Sequence, residues 1–467
     1  MAKARDMTRG SPARLLAGFA LPLMLGHVFQ QIYNMADSAI VGRLISIDAF
    51  AAVGAAGFLS WLVTSAILGL TQGFGTVFAQ RFGAEDAAGL RRSVGVGAGC
   101  ALGVSVALTA LGMALAVLAL PAMDTPAELL GDAQLYLYVL FGGTPLLMGY
   151  NFAAAVLRAL GDSKSPVYAG ILSSLLNIAL DYAAVAYLGM GVAGVALGTV
   201  LAQGFSLLFC LWRLRGFAQV RLGREDLRMD GAVARQLFAL GGPMALRDGL
   251  MAVGGLIYQR VINGFGAVTV AGVAAAWRYF ALMEVVGAGL DGAVAVYVGQ
   301  NHGAGRGDRV RQGIRVGRRM ALGGAVGIAL LMAGSGRGLL ALLVAGEAGE
   351  VAAVVSVGYG AMLGMALFLP ALYLLYIHRA ALQGMGDALW PMGAGLLELA
   401  LRVGAVLTLP AFLGRWGVYL ADGVGWLGAA LLLTLALGRV LRREGIKRQS
   451  VTQRKSTGAK DDDEGRG

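Results

Sequence analysis

The chain has 467 residues, of which 57% are hydrophobic and 14% are charged, and its mean hydropathy is +0.70. This composition provides too little polar surface to cover a soluble globule, so it predicts an integral membrane protein. We interpret the net charge of +11 as a feature of membrane topology and lipid-headgroup contact rather than of nucleic-acid binding.

Apolar windows of about 20 residues, enough to cross roughly 30 Å of hydrocarbon, recur along the chain. They are too long for tilted barrel strands, and helices satisfy every backbone polar group in lipid. We therefore predict twelve transmembrane helices. In chain order the predicted spans are 15–40, 50–78, 94–120, 135–158, 167–188, 191–214, 236–262, 268–298, 319–345, 352–378, 391–413 and 416–440.

Lysine and arginine are concentrated in alternate breaks between these spans. With the N-terminus inside, the outer loops contain only Arg43, Arg337 and Arg415. Because cytoplasmic loops carry the positive excess, we expect both termini to be cytoplasmic. The expected location is a bacterial inner membrane, which the chain crosses many times.

The chain also repeats itself at a spacing of about 220 residues. "FALPLMLG" is echoed by "LGGPMALR", "AQRFGAEDAAGLRRSVGVG" by "GQNHGAGRGDRVRQGIRVG", and "LGDSKSP" by "MGDALWP". Six spans separate the echoes, so both halves enter the membrane in the same direction and are related by an axis along the membrane normal. The predicted fold is an all-α integral membrane protein with two six-helix lobes related by a pseudo-two-fold axis. The expected division is an N-terminus at 1–14, an N-lobe at 15–214, a linker at 215–235, a C-lobe at 236–440 and a disordered tail at 441–467.

Ionisable groups inside the N-lobe spans predict a site, because such groups usually face a cavity or a partner. Asp37 lies in span 1, and Asn177 precedes Asp181 by one helical turn in span 5. Thr199 lies in span 6, which follows a very short turn and must pack beside span 5. Carboxylate, amide and hydroxyl oxygens suit Na⁺ or a shared proton and do not suit soft metals. These four residues are the predicted ion- or proton-coupling site, and the predicted metal ligands if the ion is sodium.

A purely structural interpretation of the same residues is also open. Asp181 could be hydrogen-bonded to Asn177 or Tyr182 to hold the helices together, with Asp37 near the outer interface. Two adjacent carboxylates in a medium of low dielectric would share a proton, which slightly favours H⁺ over Na⁺ as the coupled ion.

The predicted C-lobe spans contain further charges. Glu284 and Asp291 are seven residues apart and are expected on one helix face, where they meet a cationic substrate or neutralise arginines of the same lobe, namely Arg278, Arg260 or Arg247. Arg247 and Asp248, as sequence neighbours, are not expected to face each other. Glu398 and Arg402 are spaced for a structural helix pair. The candidates for the substrate cavity are Gln30, Tyr33, Asn34, Glu284, Asp291 and Tyr373.

Ordered motifs give the chain a resemblance to a known family. They include "LPLMLGHVFQQIYNMADSAIVGRL", "FAQRFGAED", "RALGDSKSP", "LNIALDY", "QRVINGFG", "GQNHGAG" and "QGMGDALWP". From residue 12 to the end of the last span, the chain resembles the MATE (multidrug and toxic compound extrusion) transporters. The resemblance implies two six-helix lobes and export of organic cations driven by inward flow of Na⁺ or H⁺. It also implies an N-lobe ion site at Asp37, Asn177, Asp181 and Thr199.

The resemblance is incomplete in the C-lobe. The marine-bacterial members use acids in spans 7 and 10, whereas span 10 here has no carboxylate, so coupling is expected through the N-lobe. We expect a secondary active efflux antiporter that works by alternating access, acts as a monomer in contact with membrane lipids, and needs no cofactor beyond its coupling ion.

Two alternatives to an efflux antiporter have different sequence requirements. A flippase for lipid-linked precursors, or a metabolite exporter of the same superfamily, would need a basic cavity if its cargo is anionic. A membrane-embedded enzyme would need a set such as H-E-x-x-H or a nucleophile elbow, and neither motif is present.

Overall fold

The computed structural model of the chain describes residues 4–40, 45–123, 125–344 and 348–464, without the side chains of 33–40, 47, 48, 50, 252, 253, 256, 343 and 444–464. Within these residues it is an all-α bundle. Its helices are α1 (Pro12–Ile40), α2 (Ile47–Gly83), α3 (Ala87–Ala122), α4 (Ala127–Gly142), α5 (Thr144–Ala159), α6 (Lys164–Ala186), α7 (Gly191–Leu214), α8 (Gly231–Asn263), α9 (Ala267–Met283), α10 (Val285–Gly303), α11 (Gly307–Leu343), α12 (Ala348–Gly384), α13 (Leu389–Thr408), α14 (Pro410–Leu413) and α15 (Arg415–Glu464).

These helices correspond in order to the twelve predicted spans. Among the described residues, ten helical stretches are long and apolar enough to cross a membrane, and the bent pair α4 and α5 provides an eleventh. Helix α8 occupies the seventh predicted span. It is not among these eleven stretches, and it carries Arg247 and Asp248 near its middle. The two-lobe arrangement of twelve transmembrane helices is therefore confirmed.

Two spans that were predicted as single helices are broken. The fourth bends by 45° at Gly143 between α4 and α5. Pro145 stands in the first turn of α5, where a residue that lacks an N–H is tolerated and where a new helix readily begins. The eighth span is divided at Glu284, which separates α9 from α10.

Helix α15 continues through 441–464, for which we predicted a disordered tail. This stretch is rich in Arg, Lys, Gln and Glu, which have high helix propensity, although it lacks an apolar face. Side chains are described only as far as Arg443. The proposed division of the chain into domains stays a prediction.

The buried apolar residues form two cores, and the first helix of each half contributes to the core of the other half. Leu16 and Phe19 of α1 belong to the core built by α8 to α15. Leu237, Leu240 and Met244 of α8 belong to the core built by α2 to α7. The two lobes are thus interlocked through the N-terminal parts of α1 and α8.

Small residues allow this interlocking, because they let helix backbones approach closely. Where α2 crosses α8, a Cβ on Gly73 would lie 2.4 Å from Gly241 Cα, and a Cβ on Gly69 would lie 2.6 Å from the backbone of Ala245. At the equivalent crossing of α10 with α1, a Cβ on Gly289 would lie 2.5 Å from the Met24 side chain.

Candidate functional site

The predicted N-lobe site is formed at the contact between α6 and α7. The Asn177 amide Nδ2 donates to Asp181 Oδ1 at 3.2 Å and to Thr199 Oγ1 at 3.3 Å. Thr199 Oγ1 in turn donates to the carbonyl oxygen of Val195 at 3.1 Å. One amide group therefore joins a carboxylate on its own helix to a hydroxyl on the neighbouring helix.

Burial of these polar side chains costs free energy, because not all of their polar atoms are hydrogen-bonded. Asp181 is fully buried and Asn177 is 1% exposed, and the Asn177 Oδ1 atom has no hydrogen-bond partner among the described residues. A Cβ on Gly198 would lie 2.0 Å from Asp181 Oδ1. The glycine of α7 thus makes the space in which the Asp181 carboxylate lies.

The atoms at this place that could coordinate an ion are all hard oxygens. A carboxylate, an amide oxygen and a hydroxyl suit Na⁺ or a transferable proton. Among the described residues no three His, Cys, Asp or Glu side chains gather as a metal site would require. The side chains of Tyr33, Asn34 and Asp37 lie outside the described residues, so the structure brings together three of the four predicted coupling residues.

A cavity of about 280 Å³ lies between the lobes, bounded by α1, α2, α5 and α10. The polar side chains that line it are His27, Thr71, Gln72, Thr76, Arg158 and Asp291. Of the predicted cavity residues, Asp291 is part of this lining. Gln30 is exposed on α1, beyond the described lining of the cavity. Tyr373 is fully buried and donates to the Met283 carbonyl oxygen at 2.7 Å, so it does not line the cavity as expected.

Asp291 and Glu284 both contact helix α12. Arg379 Nη2 donates to Asp291 Oδ1 at 3.1 Å, and the Tyr376 hydroxyl donates to the Glu284 carboxylate. The Arg379 guanidinium also lies over the Tyr376 ring, 4.5 Å from its centroid. The shared face of the two acids is as predicted, but the cation that neutralises Asp291 is Arg379 and none of the three arginines that we considered.

A second correction concerns neighbours on α8. Arg247 Nη2 lies 2.6 Å from Asp248 Oδ1, although we expected that adjacent helical residues would not meet. The long arginine side chain bends back toward its neighbour because its guanidinium is buried and requires a counter-charge.

The predicted Glu398 to Arg402 pair is confirmed, with Nη2 to Oε1 at 2.7 Å. The pair has a third member that we did not predict, because Asp422 Oδ1 of α15 lies 2.9 Å from Arg402 Nε. Asp422 is 2% exposed and Glu398 is 9% exposed. Two buried acids therefore share one arginine between α13 and α15.

The lobes also join at one end of the bundle through equivalent residues of the repeat. We call this the linker end, because the inter-lobe linker at 215–230 lies there. Gln80 Nε2 donates to the Gly384 carbonyl oxygen at 2.9 Å. Gln300 Nε2 donates to the Ala159 carbonyl oxygen at 2.8 Å. Each glutamine thus ties its own lobe to the last turn of a helix in the other lobe.

At the same seam α2 and α10 touch backbone to backbone. A Cβ on Gly83 would lie 1.9 Å from the carbonyl oxygen of Gln300, and a Cβ on Gly303 would lie 1.9 Å from that of Gln80. The repeat therefore places a glycine and a glutamine of each lobe at one crossing, and together they close the linker end beneath the cavity.

The N-terminal segment binds to the C-lobe side of this seam. The Met7 N–H donates to Gln300 Oε1 at 2.8 Å, and the Met7 carbonyl oxygen accepts from Asn301 Nδ2 at 3.1 Å. Arg309 Nη2 donates to the Gly10 carbonyl oxygen at 2.9 Å. Residues 7–10 thus bind across α10 and α11, and in the second half the segment before α8 is likewise bound to the start of α3, where Arg92 Nη1 donates to the Glu225 carbonyl oxygen at 2.7 Å.

Sequence reasoning missed Arg379 and Asp422. Asp422 is a carboxylate inside the last predicted span, so a complete survey of charges within the spans would have found it. Arg379 lies one residue beyond the predicted end of span 10, and an uncertainty of a few residues in helix boundaries hid it.

Twelve spans in two interlocked lobes, with buried charges around a central cavity, define a multi-pass membrane transporter. A family model described as MatE matches residues 22–183 and 243–406, which is one segment in each lobe. The chain belongs to the MatE family.

Curated relatives agree with this family, and solved structures share the fold. The chain is 31% identical over 313 residues to "Probable multidrug resistance protein YpnP" of Bacillus subtilis (strain 168), which is 66% of this chain and 69% of that protein. It is 30% identical to "Probable multidrug resistance protein NorM" of Bradyrhizobium diazoefficiens, over 91% of this chain and 92% of the relative. A MOP superfamily transporter from Pyrococcus furiosus has the same fold, with a TM-score of 0.88, 22% identity, and coverage of 95% and 99% of the two chains.

Proposed function

We propose that the protein is a secondary active multidrug efflux transporter that exports lipophilic organic cations in exchange for H⁺ or Na⁺. Its curated relatives are named multidrug resistance proteins, which supports the efflux part of this proposal. The observation that carries the coupling part is the contact of the buried Asn177 and Asp181 with the half-buried Thr199, whose oxygens suit either ion.

The same arrangement supports a mechanism of alternating access. The cavity lies between two lobes that can rock against each other, and the linker end is closed by the glutamine seam. Entry of the ion at Asp181 would rearrange α6 and α7, and the cargo would be released when the cavity faces the opposite side. Coupling requires that each ligand binds the two states with different affinity.

The proposed orientation places the linker end in the cytoplasm of a bacterial cell. The distribution of Lys and Arg supports this orientation. We propose that the inner membrane is the location and that the transporter functions as a monomer.

The test is transport of an ethidium-like dye by the purified full chain in proteoliposomes. A pH gradient and a Na⁺ gradient are imposed separately, and the gradient that supports efflux identifies the coupled ion. Asp181→Asn is expected to fold and insert but to abolish gradient-driven efflux. Asp387→Asn is the matched control, because Asp387 accepts from the N–H of Leu389 at the start of α13 and the asparagine side-chain oxygen can accept the same bond. Unimpaired efflux by Asp181→Asn would remove the coupling role.

One observation favours a second candidate, the export of an anionic lipid-linked precursor or metabolite. Arg158 lines the inter-lobe cavity together with Asp291, so the lining is not purely acidic. If the cargo is anionic, the unmodified protein should show no efflux of the cationic dye, and Arg158→Gln should reduce transport of the anionic cargo. Efflux of the dye by the unmodified protein would decide for the first candidate.

A further inference from the structure

A large apolar groove lies in the N-lobe, separate from the cavity between the lobes. It has a volume of about 780 Å³ and is bounded by α3, α5, α7 and the linker. Along α3 it runs from Val94 to Ser105, which is about 16 Å of helix at 1.5 Å per residue. Since the hydrocarbon of a bilayer is roughly 30 Å thick, the groove extends over about one leaflet.

The wall of this groove offers almost nothing to a polar ligand. Its membrane part is lined by Ala, Leu, Val, Met, Phe, Pro and Gly side chains, with Ser105 as the polar exception. The Ser105 hydroxyl already donates to the Leu102 carbonyl oxygen at 2.7 Å. Leu102 itself is 62% exposed on the outer surface of α3, so the groove opens toward the lipid and not toward the lobe interface.

The mouth of the groove at the linker end is basic. Arg215 and Arg221 belong to its lining, and both are exposed. Neither has a carboxylate partner in the described part of the chain, whereas the nearby Arg213 pairs with Asp162 at 3.3 Å. The two guanidinium groups are thus available to an anion at the level of the lipid headgroups.

The linker that carries these arginines is held in place. Arg92 Nη1 donates to the Glu225 carbonyl oxygen at 2.7 Å, and Arg92 Nη2 lies 3.4 Å from Asp230 Oδ2. Arg91 Nε lies 3.8 Å from Asp226 Oδ2. The linker is therefore fastened to the start of α3, and the basic mouth is a fixed part of the groove.

We propose that this groove binds an anionic phospholipid of the leaflet on the linker side. An acyl chain lies between α3, α5 and α7, and the headgroup phosphate is bound by Arg215 and Arg221. Apolar surface and clustered arginines at one depth are the two features that such a lipid requires. This inference is independent of the cargo and of the coupled ion.

The test is native mass spectrometry of the full chain, released from nanodiscs that contain equal amounts of phosphatidylglycerol and phosphatidylcholine. We expect retained phosphatidylglycerol in the unmodified protein. The double variant Arg215→Gln, Arg221→Gln should reduce its apparent affinity by about tenfold or more, from the loss of two surface charges. The control double variant Arg224→Gln, Arg228→Gln removes the same charge from the linker outside the groove lining and should retain the lipid.

A second variant tests the groove itself. Ala98 lies in the wall at α3, and Ala98→Phe fills part of the groove while leaving both arginines in place. We expect this change to displace the lipid, with a thermal unfolding midpoint in detergent that confirms a folded protein. Equal retention of the two lipids by the unmodified protein, equal losses in the two arginine pairs, or full retention in folded Ala98→Phe would each overturn the proposal. Displacement of the lipid by the transported dye would identify the groove as a cargo site and would also overturn it.

Discussion

The crossing of Gly83 and Gly303 at the linker end leads to a sharp prediction about the balance between the two facing states. Gly83→Ala places a methyl group 1.9 Å from the carbonyl oxygen of Gln300. Gly303→Ala places one at the same distance from Gln80. Because the obstructing atoms are backbone, they cannot rotate away as a side chain would. The crossing must open, so both variants should populate the state in which the linker end is open.

The size of the effect follows from the distance. The seam must widen by about 1 Å before the contact reaches the 3.0 Å limit that real Cβ atoms respect. Overpacking of this kind costs about 1–3 kcal/mol, and the cost applies only to the state in which the seam is closed. An equilibrium shift of about 5- to 150-fold toward the open state is expected. The better helix propensity of alanine acts in both states and does not change the ratio.

The assay is alkylation of a single cysteine in the inter-lobe cavity. Ala288 lines this cavity, and Ala288→Cys is made in a chain whose buried Cys100 and Cys210 are replaced by alanine. A membrane-impermeant maleimide is added on the side where the linker lies. The alkylation rate should rise in Gly83→Ala and in Gly303→Ala, because the seam no longer covers the cavity.

Matched glycines provide the control. Gly103 of α3 and Gly327 of α11 have no atom within 4 Å of an added Cβ, so alanine at either position should leave the rate unchanged. An unchanged alkylation rate in both seam variants, with the protein folded, would refute the claim that the glycine crossing holds the linker end closed.

Three further predictions concern single side chains. Gly198→Ala should abolish gradient-driven dye efflux, because its methyl group would lie 2.0 Å from Asp181 Oδ1 and must displace the carboxylate. Arg402→Met should lower stability to thermal unfolding in detergent by about 3–5 kcal/mol, because it leaves the buried Asp422 and its neighbouring acid without their cation. Gln300→Ala should raise the Ala288→Cys alkylation rate, because each buried group left without its partner costs about 1–3 kcal/mol in the closed state.

Each of these variants has a control on the same chain. Gly204→Ala on α7 meets only Leu146 Cδ1 at 3.4 Å and should transport normally. Arg415→Met removes an exposed arginine and should unfold like the unmodified protein. Gln259→Ala removes an exposed glutamine on α8 and should leave alkylation unchanged. Effects of equal size in a variant and its control would contradict the corresponding prediction.

The order and number of the transmembrane helices could be predicted from the sequence, because hydropathy and the demand for satisfied backbone groups leave few alternatives in lipid. The close approach of Asn177 to Thr199 could be predicted as well, since a short turn between two helices forces them to pack side by side. The function of these residues stays a prediction.

The partners of the C-lobe charges could not be predicted, because they depend on how distant helices pack. Arg379 and Asp291 are 88 residues apart in sequence, and no local pattern indicates that α10 and α12 place them together. Tyr373 was assigned to the cavity from its helix alone, whereas it is fully buried and donates to the Met283 carbonyl oxygen at the end of α9. The role of the repeated glutamine and glycine could not be predicted either, because it depends on the crossing of α2 with α10.

The exchange of first helices between the cores has a consequence for how the protein is made. The N-lobe core includes Leu237 and Leu240 of α8, so it stays incomplete until the seventh span has left the ribosome. Leu16 and Phe19 of α1 gain their core partners later still, because those partners lie in the second half of the chain. Pairings that join distant parts of a sequence form late. A chain cut after its sixth transmembrane span would keep most of the N-lobe core but would lack Leu237, Leu240 and Met244 of α8, and its α1 would lack the C-lobe partners of Leu16 and Phe19.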